Sequence, residues 1–541
     1  MSYQGFTATW IAGQEGLFGG ENTDLAAPNA LVVAKGLTFQ NGMWQKEGGA
    51  VKFNSTVISG APEVKAGIDW WPTATIQRQV VYTGDGILFK DDGSGTFSTT
   101  LKSGLPTDKN PIFVEGGAEA AGNNRKLFCF IDGNAVQVLS GNGATTSDLA
   151  TPPTDWATTN QPTFGIPHKG RIWGRGNPND PNRIYYSMAS NHESYTGAGS
   201  GSISIFPGEG ERLVGGVSWH GRLFLFKDPR GIYWVDDSST TAADWEAKRL
   251  TNTIGCLTQN LIREIQIFTQ DGFKDDVVFF SASGGIHLLS AVQELGDAQS
   301  GSLSAILSLD RWLRDNLNLS QFAEGKSIWY DDAHELHFGV SGKAITVNNQ
   351  RLTLDFLRSP PRFRYTNRDT CQAMWVRKDT DKIERPMIGD DVGFTWTLDQ
   401  SARTKGGAYI GDVQVRESDL SWVDPQLESI DKIFDWMEVH YLATGEWNLS
   451  VDVLIDGLLF ETITFGMDAS KVVQGETQLG SWLLGVSKFG TSTLISRRRR
   501  RLRGQGRRFA FRLYNEGDSQ DFKIMKVIVG FRTGGAKPED E

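Results

Sequence analysis

The sequence predicts an all-β protein whose main body is a β-propeller of six or seven blades. Seven short aromatic hairpins recur along the middle of the chain, with turn centres roughly 46 to 58 residues apart, which is the spacing of propeller blades. One hairpin cannot bury its own apolar face, so repeated hairpins must stack to form a core, and radial closure leaves only short, protected sheet edges. The paired segments are residues 80–83 with 87–89, 127–131 with 135–139, 171–173 with 184–186, 223–226 with 232–235, 277–281 with 286–289, 328–330 with 336–340, and 387–388 with 394–398.

Length and composition agree with this fold class. At 541 residues the chain is too long for one ordinary core, so we expect about two to four domains. Glycine is abundant, with 62 residues, and aromatic residues make up 11% of the chain, whereas long helical periodicities are nearly absent. This composition favours strands and turns.

The pattern divides the chain into four regions. Residues 1–75 are rich in glycine and asparagine and are interpreted as an N-terminal β region. Residues 76–425 carry the hairpin repeat. Residues 426–533 contain alternating strands without the blade period, which predicts a C-terminal β-sandwich. Residues 534–541 are expected to form a flexible tail.

One helical pattern interrupts the repeat. Apolar residues fall at spacings of three and four over residues 303–317, with charged residues between them. This periodicity predicts one amphipathic helix packed on the rim of the propeller. The apolar positions are Leu303, Ile306, Leu307, Leu309, Trp312, Leu313 and Leu317.

Cysteine use and the N-terminal segment indicate a reducing cytoplasm. Cys129, Cys256 and Cys371 lie far apart and form neither a disulfide framework nor a zinc-binding pair. The chain starts without a basic segment followed by an apolar run, and no stretch approaches about 18 consecutive apolar residues. We therefore expect a protein that is made and folded in the cytoplasm and has no membrane-spanning segment.

The formal charge of −10 conceals a strongly basic window. Residues 485–512 hold ten basic residues and no acidic one, and removing those ten positive charges from −10 leaves −20 on the rest of the chain. Three interpretations are open: a solvated face, a surface that grips phosphates, or a contact with an acidic neighbouring subunit. The acidic remainder favours the subunit contact, because copies of it would attract the window. The candidate residues are Arg497, Arg498, Arg499, Arg500, Arg501, Arg503, Arg507 and Arg508.

The sequence contains none of the common catalytic motifs. It has no nucleophile elbow, zinc-protease motif, phosphate-binding loop or dinucleotide fingerprint. The carboxylate pairs at 275–276, 331–332 and 390–391 are interpreted as turn residues. His334 and His337 lie beside the pair at 331–332, which would suit a metal site, but a spacing of three on a strand sends the two rings to opposite faces. They are therefore interpreted as a solvated hairpin tip. We therefore expect no enzymatic activity, no metal and no cofactor.

A succession of short segments carries a family resemblance. The segments are Asn22-Thr23, Pro28, Asn41-Gly42, and residues 46–49, 284–289, 506–512, 521–524 and 527–530. In this order they resemble the tail-nozzle, or packaged-DNA-stabilisation, proteins of short-tailed bacteriophages. The resemblance covers most of the chain, although the dense arginine run departs from the familiar members.

The resemblance implies a structural virion protein without catalytic residues. Proteins of that family form a ring, expected here to be a homohexamer, below the portal and adaptor proteins and next to tail fibres or spikes. The ring surrounds a channel that retains packaged double-stranded DNA and lets it exit during ejection, without sequence-specific binding. The expected location is the virion tail, after assembly in the host bacterial cytoplasm.

Two other functions remain open at this point. A glycan- or receptor-binding propeller, or a depolymerase, would use some of the 17 tryptophans to stack on sugars. A cytoplasmic interaction scaffold would need only the propeller.

The charge of −20 outside the basic window is compatible with the wall of a DNA channel, because cations facing the channel would bind the passing DNA.

Overall fold

The computed structural model describes residues 5–20, 26–117, 125–176, 180–189, 191–208, 211–269, 272–291, 302–379, 381–401, 403–405, 407–468 and 495–533. The predicted loop at 177–179 and the predicted tail at 534–541 lie outside the described residues. The chain divides into two compact units. The propeller unit comprises Val51–Pro361 and Asn367–Asp399, and the sandwich unit comprises Met1–Ala50, Arg362–Thr366 and Gln400–Glu541.

Most of the regular structure is β. The early strands are β1 (Gly5–Ile11), β2 (Leu31–Lys35), β3 (Leu37–Thr38), β4 (Trp44–Lys46) and β5 (Gly49–Lys52). The central strands are β6 (Val64–Trp70), β7 (Arg78–Thr83), β8 (Ile87–Lys90), β9 (Thr99–Lys102), β10 (Ile112–Gly116), β11 (Lys126–Ile131), β12 (Asn134–Ser140), β13 (Ser147–Asp148), β14 (Phe164–His168), β15 (Arg171–Arg175), β16 (Arg183–Tyr186), β17 (Gly201–Ser204), β18 (Arg212–Trp219), β19 (Arg222–Asp228), β20 (Ile232–Asp236), β21 (Glu246–Thr251), β22 (Ile262–Thr269), β23 (Gly272–Phe280), β24 (Ile286–Leu288), β25 (Lys326–Tyr330), β26 (Glu335–Val340), β27 (Gln350–Asp355), β28 (Arg362–Thr366), β29 (Ala373–Lys378), β30 (Glu384–Gly389) and β31 (Thr395–Gln400). The late strands are β32 (Gly411–Val415), β33 (Lys432–Leu442), β34 (Asn448–Ile455), β35 (Leu458–Gly466), β36 (Ile495–Gly506), β37 (Phe509–Asn515) and β38 (Lys523–Thr533).

Seven sets of hydrogen-bonded strands make up the propeller unit. Their orders are β6-β7-β8-β9, β10-β11-β12-β13, β14-β15-β16-β17, β18-β19-β20-β21, β22-β23-β24, β25-β26-β27 and β29-β30-β31-β5. The first strands of these sets, β6, β10, β14, β18, β22, β25 and β29, pack side by side in a closed circle in which β29 returns to β6. The predicted propeller is therefore confirmed with seven blades, and each predicted hairpin lies in a different blade.

The seventh blade joins two distant parts of the chain. β5, whose residues Val51 and Lys52 belong to the propeller unit, is its fourth strand beside β31. Phe53 N donates to Thr395 O at 2.9 Å, and Lys52 Nζ lies 3.2 Å from the centroid of the Phe394 ring. Because an early strand completes the last blade, the ring cannot open without breaking the strand pairing inside that blade.

Aromatic residues fill the space between neighbouring blades. Between the third and fourth blades, Trp173 stacks on Trp245 with ring centroids 5.7 Å apart, and Tyr186 packs against both rings. The first and seventh blades approach so closely that a Cβ atom on Gly67 would lie 2.5 Å from the ring of Trp375. Only glycine allows this approach, so the sequence must place it there.

The structure has two short helices where the sequence predicts one over residues 303–317. The helices are α1 (Leu303–Ile306) and α2 (Asp310–Asn316). Between them Ser308 has a φ of 54°, in the left-handed region, which interrupts the helical path. The apolar periodicity still marks the core, because Leu303, Leu309, Leu313 and Leu317 are buried. The first blade also begins earlier than residue 76, at Val64.

The sandwich unit contains two β layers. One has the order β3-β4-β38-β33-β36, with β1 paired to β38, and the other contains β28-β2-β32-β37-β34-β35. Trp10 of the first layer packs edge-on against Phe511 of the second with centroids 5.3 Å apart, and Phe434 packs on Phe509 at 4.7 Å. The predicted C-terminal strands thus form a sandwich, which strands from the N-terminal region complete.

Candidate functional site

The predicted arginine run forms a strand at the edge of one layer of the sandwich unit. β36 pairs with β33 along its whole length, from Ile495 opposite Leu442 to Gly506 opposite Lys432. Within the described ranges, no strand pairs with the other side of β36. Such an edge presents main-chain N–H and C=O groups to which another chain can add.

The side chains of β36 alternate between two faces. Arg497, Arg499, Arg501 and Arg503 are exposed at every second position, whereas Leu502 between the last two is buried. Two residues of a strand span about 6.7 Å, so these four guanidinium groups form a regularly spaced row. We call this row, together with the exposed Arg500, the arginine strand.

Two arginines of β36 are held by the rest of the sandwich unit. Arg499 Nε donates to Glu438 Oε2 at 2.7 Å, and its guanidinium lies 3.8 Å from the centroid of the Trp436 ring. Arg498 donates to Tyr441 OH at 2.9 Å and also pairs with Asp468. Burial alone would raise the pKa of Glu438, but the hydrogen bonds from Arg499 and from a neighbouring histidine outweigh it and hold that pKa below its ordinary value.

The other arginines of β36 point outward. Arg497, Arg500, Arg501 and Arg503 have no side-chain partner among the residues that the structure describes. An apolar tip is formed by Leu458, Leu459 and Phe460, the first three residues of β35. These three side chains are 74%, 62% and 46% exposed, and the ring of Phe460 lies beside Gly504 of β36.

Arg507 and Arg508 do not belong to this row. They follow the end of β36, where both main-chain N–H groups donate to Asp456 Oδ1, at 3.0 Å and 2.8 Å. Arg507 also donates to Ser429 O at 3.1 Å. The two arginines line a separate cavity of about 420 Å³ together with Glu417, Asp419 and Glu428. The structure therefore brings six of the eight predicted arginines onto one strand and places two elsewhere.

The axis of the propeller unit holds a second site that the sequence did not predict. A cavity of about 640 Å³ is lined by residues from the first strand of every blade. Much of its wall is apolar, with Ile68, Ile166, Val217, Ile328 and Trp375 as examples. A volume of this size is typical of small-molecule sites, which fall at about 300 to 1,000 Å³.

Several charged groups line this central cavity. Lys326, at the start of β25, is 5% exposed and donates through Nζ to Asn110 Oδ1. Asn110 in turn donates through Nδ2 to Glu324 Oε2 at 2.6 Å. Burial lowers the pKa of Lys326 to about 7, and burial also lowers the pKa of Arg263 to about 10. The buried ammonium group of Lys326 therefore loses its proton near neutral pH.

A buried histidine links the third and fourth blades. His168 lies 2.7 Å through Nδ1 from Ser218 Oγ and 2.8 Å through Nε2 from Asp237 Oδ2. Burial lowers the pKa of His168, because it outweighs the opposite effect of Asp237. Lys169 pairs with the same carboxylate at 2.7 Å. The partners lie 50 and 69 residues from His168, and no local pattern in the sequence marks them.

Two interpretations made from the sequence are wrong. His337 is not part of a solvated tip: it is 2% exposed and lies 3.0 Å from Glu335 Oε2 and 3.1 Å from Arg351 Nη1. The pair at 275–276 is not in a turn, because both residues belong to β23. Asp276 is buried and accepts hydrogen bonds from the main-chain N–H groups of Val277 and Ser290.

The described residues contain neither a cluster suited to a metal ion nor a helix suited to span a membrane. Across the described residues, no cluster of three or more histidine, cysteine, aspartate or glutamate side chains is placed to hold a metal ion. None of the helices in the described part of the chain has both the length and the apolarity needed to cross a membrane.

Comparisons with known proteins give matches to solved structures alone. No family model and no curated protein matches the chain. Among the matching solved structures is one titled "YCF48 bound to D1 peptide". It has 11% sequence identity and a TM-score of 0.37, and the match covers 65% of this chain and 95% of that one. The assignment of seven blades rests on the strand pairing described above.

Proposed function

We propose that this protein is a structural component of a phage tail that assembles into a ring through its arginine strand, in the manner of a tail nozzle. The observation that carries the proposal is the row of outward arginines on a strand whose outer edge pairs with no described strand. The succession of sequence segments that resembles nozzle proteins supplies the type of assembly. In this role the protein needs no catalytic step and no cofactor.

The charge of the arginine strand favours a protein partner. Five neighbouring guanidinium groups repel one another, and this repulsion is relieved when carboxylates approach. Arginine pairs with carboxylates through two parallel hydrogen bonds, which are stronger and more directional than ordinary ones. The chain outside the basic window carries −20, so a second copy of the protein offers the required carboxylates.

The composition around the strand is also that of an interface. One exposed apolar side chain of the tip at 458–460, the ring of Phe460, lies beside Gly504 of the same strand. Protein interfaces are enriched in aromatic residues and arginine, with an apolar centre and a polar rim. A solvated face would need the arginines but would gain nothing from an exposed phenylalanine beside the same strand.

The proposal places the arginines in contacts between subunits and not on a channel wall. Lysine or arginine facing the channel would release counterions and bind DNA with a strong salt dependence, which would retard its exit. The portal and adaptor proteins and the tail fibres or spikes are the expected neighbours, and the virion tail is the expected location.

The glycan-binding alternative would require tryptophans on the surface. In the described ranges every tryptophan is buried or half-buried, and the exposed large apolar side chains are aliphatic residues and phenylalanines. A stacking surface for sugars is therefore not built from tryptophan in this part of the molecule. The ring assembly is the function that the surface supports better.

The test is the size of the purified protein and of a charge-matched pair of variants. The first variant carries Arg497→Ser, Arg501→Ser and Arg503→Ser. The control carries Arg125→Ser, Arg314→Ser and Arg358→Ser, three exposed arginines of the propeller unit. We expect rings for the wild type and the control, and monomers for the first variant, in sedimentation velocity and negative-stain images.

Salt and DNA distinguish the remaining interpretations. Rings of the wild type should dissociate as the salt concentration rises, because the contact is between charges. Rings formed by the first variant at every salt concentration would contradict the proposal. Aggregation of the first variant would mean that the arginines only protect a sheet edge, and loss of DNA binding without loss of rings would make them a phosphate-binding surface.

A further inference from the structure

The central cavity of the propeller unit has a polar end that does not depend on the arginine strand. Lys326 and Arg263 both line it, and Ser327 follows Lys326 on β25. Arg263 Nε donates to Ser327 O at 2.9 Å, and Ser327 Oγ donates to the main-chain oxygen of Asn260. The Arg263 side chain is thus held against β25, one residue from Lys326, and Ser327 is held against the main chain of Asn260.

The positive charge at this end is incompletely balanced. Two cations, Lys65 and Arg263, and two carboxylates, Glu63 and Glu324, act on Lys326. With Lys326 itself, three positive charges stand against two negative ones. Lys65 and Glu63 already form an ion pair at 3.0 Å. Within the described residues, neither Lys326 nor Arg263 forms an ion pair with a carboxylate.

A hydrogen-bond donor without an acceptor also indicates that this part of the cavity lacks a negatively charged acceptor group. Asn260 lines the cavity, and its buried Nδ2 has no acceptor among the described residues. The acceptors of Arg263 are main-chain carbonyls, those of Ser327 and Ile262. A buried donor without an acceptor costs free energy, which a bound acceptor would recover. One negatively charged group with two acceptor oxygens would satisfy both the charge and the donors.

We propose that the central cavity binds a small organic carboxylate, with its oxygens on Lys326 and Asn260 and its apolar body against the wall of the cavity. The aliphatic and aromatic lining favours an apolar body over an inorganic ion. Glu115 and Glu264, two exposed carboxylates that also line the cavity, disfavour ligands with several negative charges. This site is independent of the ring assembly proposed above.

Binding should depend on pH through Lys326. Its ammonium form attracts the carboxylate, and the neutral amine that prevails above about pH 7 does not. With hexanoate as the probe, calorimetry of the wild type should show affinity roughly 30-fold weaker at about pH 8.5 than at about pH 6. Hexylamine, which has the same apolar body and the opposite charge, should not bind, and inorganic phosphate should bind more weakly than hexanoate.

Variants separate the charge from the cavity. Lys326→Met should abolish hexanoate binding, whereas Lys102→Met, a half-buried lysine of β9, should leave it unchanged. Lys326→Arg should retain binding and lose the decline above pH 7, because arginine stays charged. Circular dichroism of each variant checks that the propeller is folded.

A measurement on the wild type alone completes the test. Hexanoate should protect Lys326 from acetylation at pH 8, as read by mass spectrometry, and should not protect Lys102. The proposal is overturned if hexanoate fails to bind the wild type at millimolar concentration, or if it binds Lys326→Met as tightly as the wild type. Because neither readout involves assembly, a failure here leaves the ring proposal untouched, and the reverse also holds.

Discussion

The two candidate sites contain the same kind of charge in opposite surroundings. In the propeller unit, Lys326 is almost fully buried, with one amide oxygen as its acceptor and no ion pair in the described residues. In the sandwich unit, Arg501 and Arg503 are exposed on a strand whose outer edge pairs with no strand in the described ranges. Burial shifts the proton affinity of the lysine, whereas exposure lets the arginines keep their charge and make it available to a partner.

The difference teaches how burial divides the roles of charged residues. Burying a charge costs free energy unless the group is paired and hydrogen-bonded. Such a group therefore loses its charge by titration, pairs with another group of the fold, or binds a charged ligand. An exposed charge contributes little to stability and is free to act in recognition. The propeller unit also shows the paired case, since Arg351 and Asp369 are both buried and joined by two hydrogen bonds of 3.0 Å and 2.8 Å.

The largest effect is expected from breaking that buried pair. Asp369→Ala leaves Arg351 and Arg368 without their shared carboxylate and should lower the free energy of unfolding by about 3 to 5 kcal/mol. Urea denaturation measures this change. The control is Asp315→Ala, which removes an exposed carboxylate paired with Arg311 at 3.3 Å and should cost less than about 1 kcal/mol. Equal losses of unfolding free energy in Asp369→Ala and Asp315→Ala would show that burial does not decide how much a charged pair contributes to stability.

A smaller effect is expected from the pH dependence of Lys326. Its pKa is lowered in the folded state from an ordinary value of 10.5 to about 7, so between these values the unfolded chain binds one more proton. Stability therefore rises with pH in this window. Relative to Lys326→Met, the wild type should gain about 2.5 kcal/mol between about pH 7.5 and 9.5, because the slope is close to 1.4 kcal/mol per pH unit over most of this range. A constant difference between the two proteins over this range would contradict the burial of a charge.

The smallest effect on stability is expected from the arginine strand. Arg497→Ser, Arg501→Ser and Arg503→Ser together should change the free energy of unfolding of the protein in its monomeric form by less than about 0.5 kcal/mol per residue, because no partner within the described chain is lost. Thermal unfolding in high salt, where assembly is suppressed, gives the value. A loss of several kcal/mol would mean that these arginines hold the sandwich together and would remove the contrast with Lys326.

Local patterns predicted the parts of the fold that depend on nearby residues. The seven hairpins follow from alternation and turn residues, and the strand from 495 to 506 lies within a basic window that was recognised as a candidate site. The helical pattern at 303–317 identified the buried leucines but not the break at Ser308. The turn interpretation is wrong for Asp276, because the sequence pattern of two adjacent carboxylates is the same in a turn and in a strand. In β23 the main-chain N–H groups of Val277 and Ser290 donate to Asp276, which allows its burial.

The sequence by itself determined the fold class, the number of repeated hairpins and the position of the arginine run, because period, turns and charge are properties of neighbouring residues. Only the tertiary structure decided that β5 completes the last blade, that β36 with its six arginines pairs with β33 on one side, and that Lys326 meets Asn110 across 216 residues of chain. Such contacts depend on how the blades close into a ring. Closure brings together residues whose separation in the sequence carries no signal, and burial then changes their chemistry.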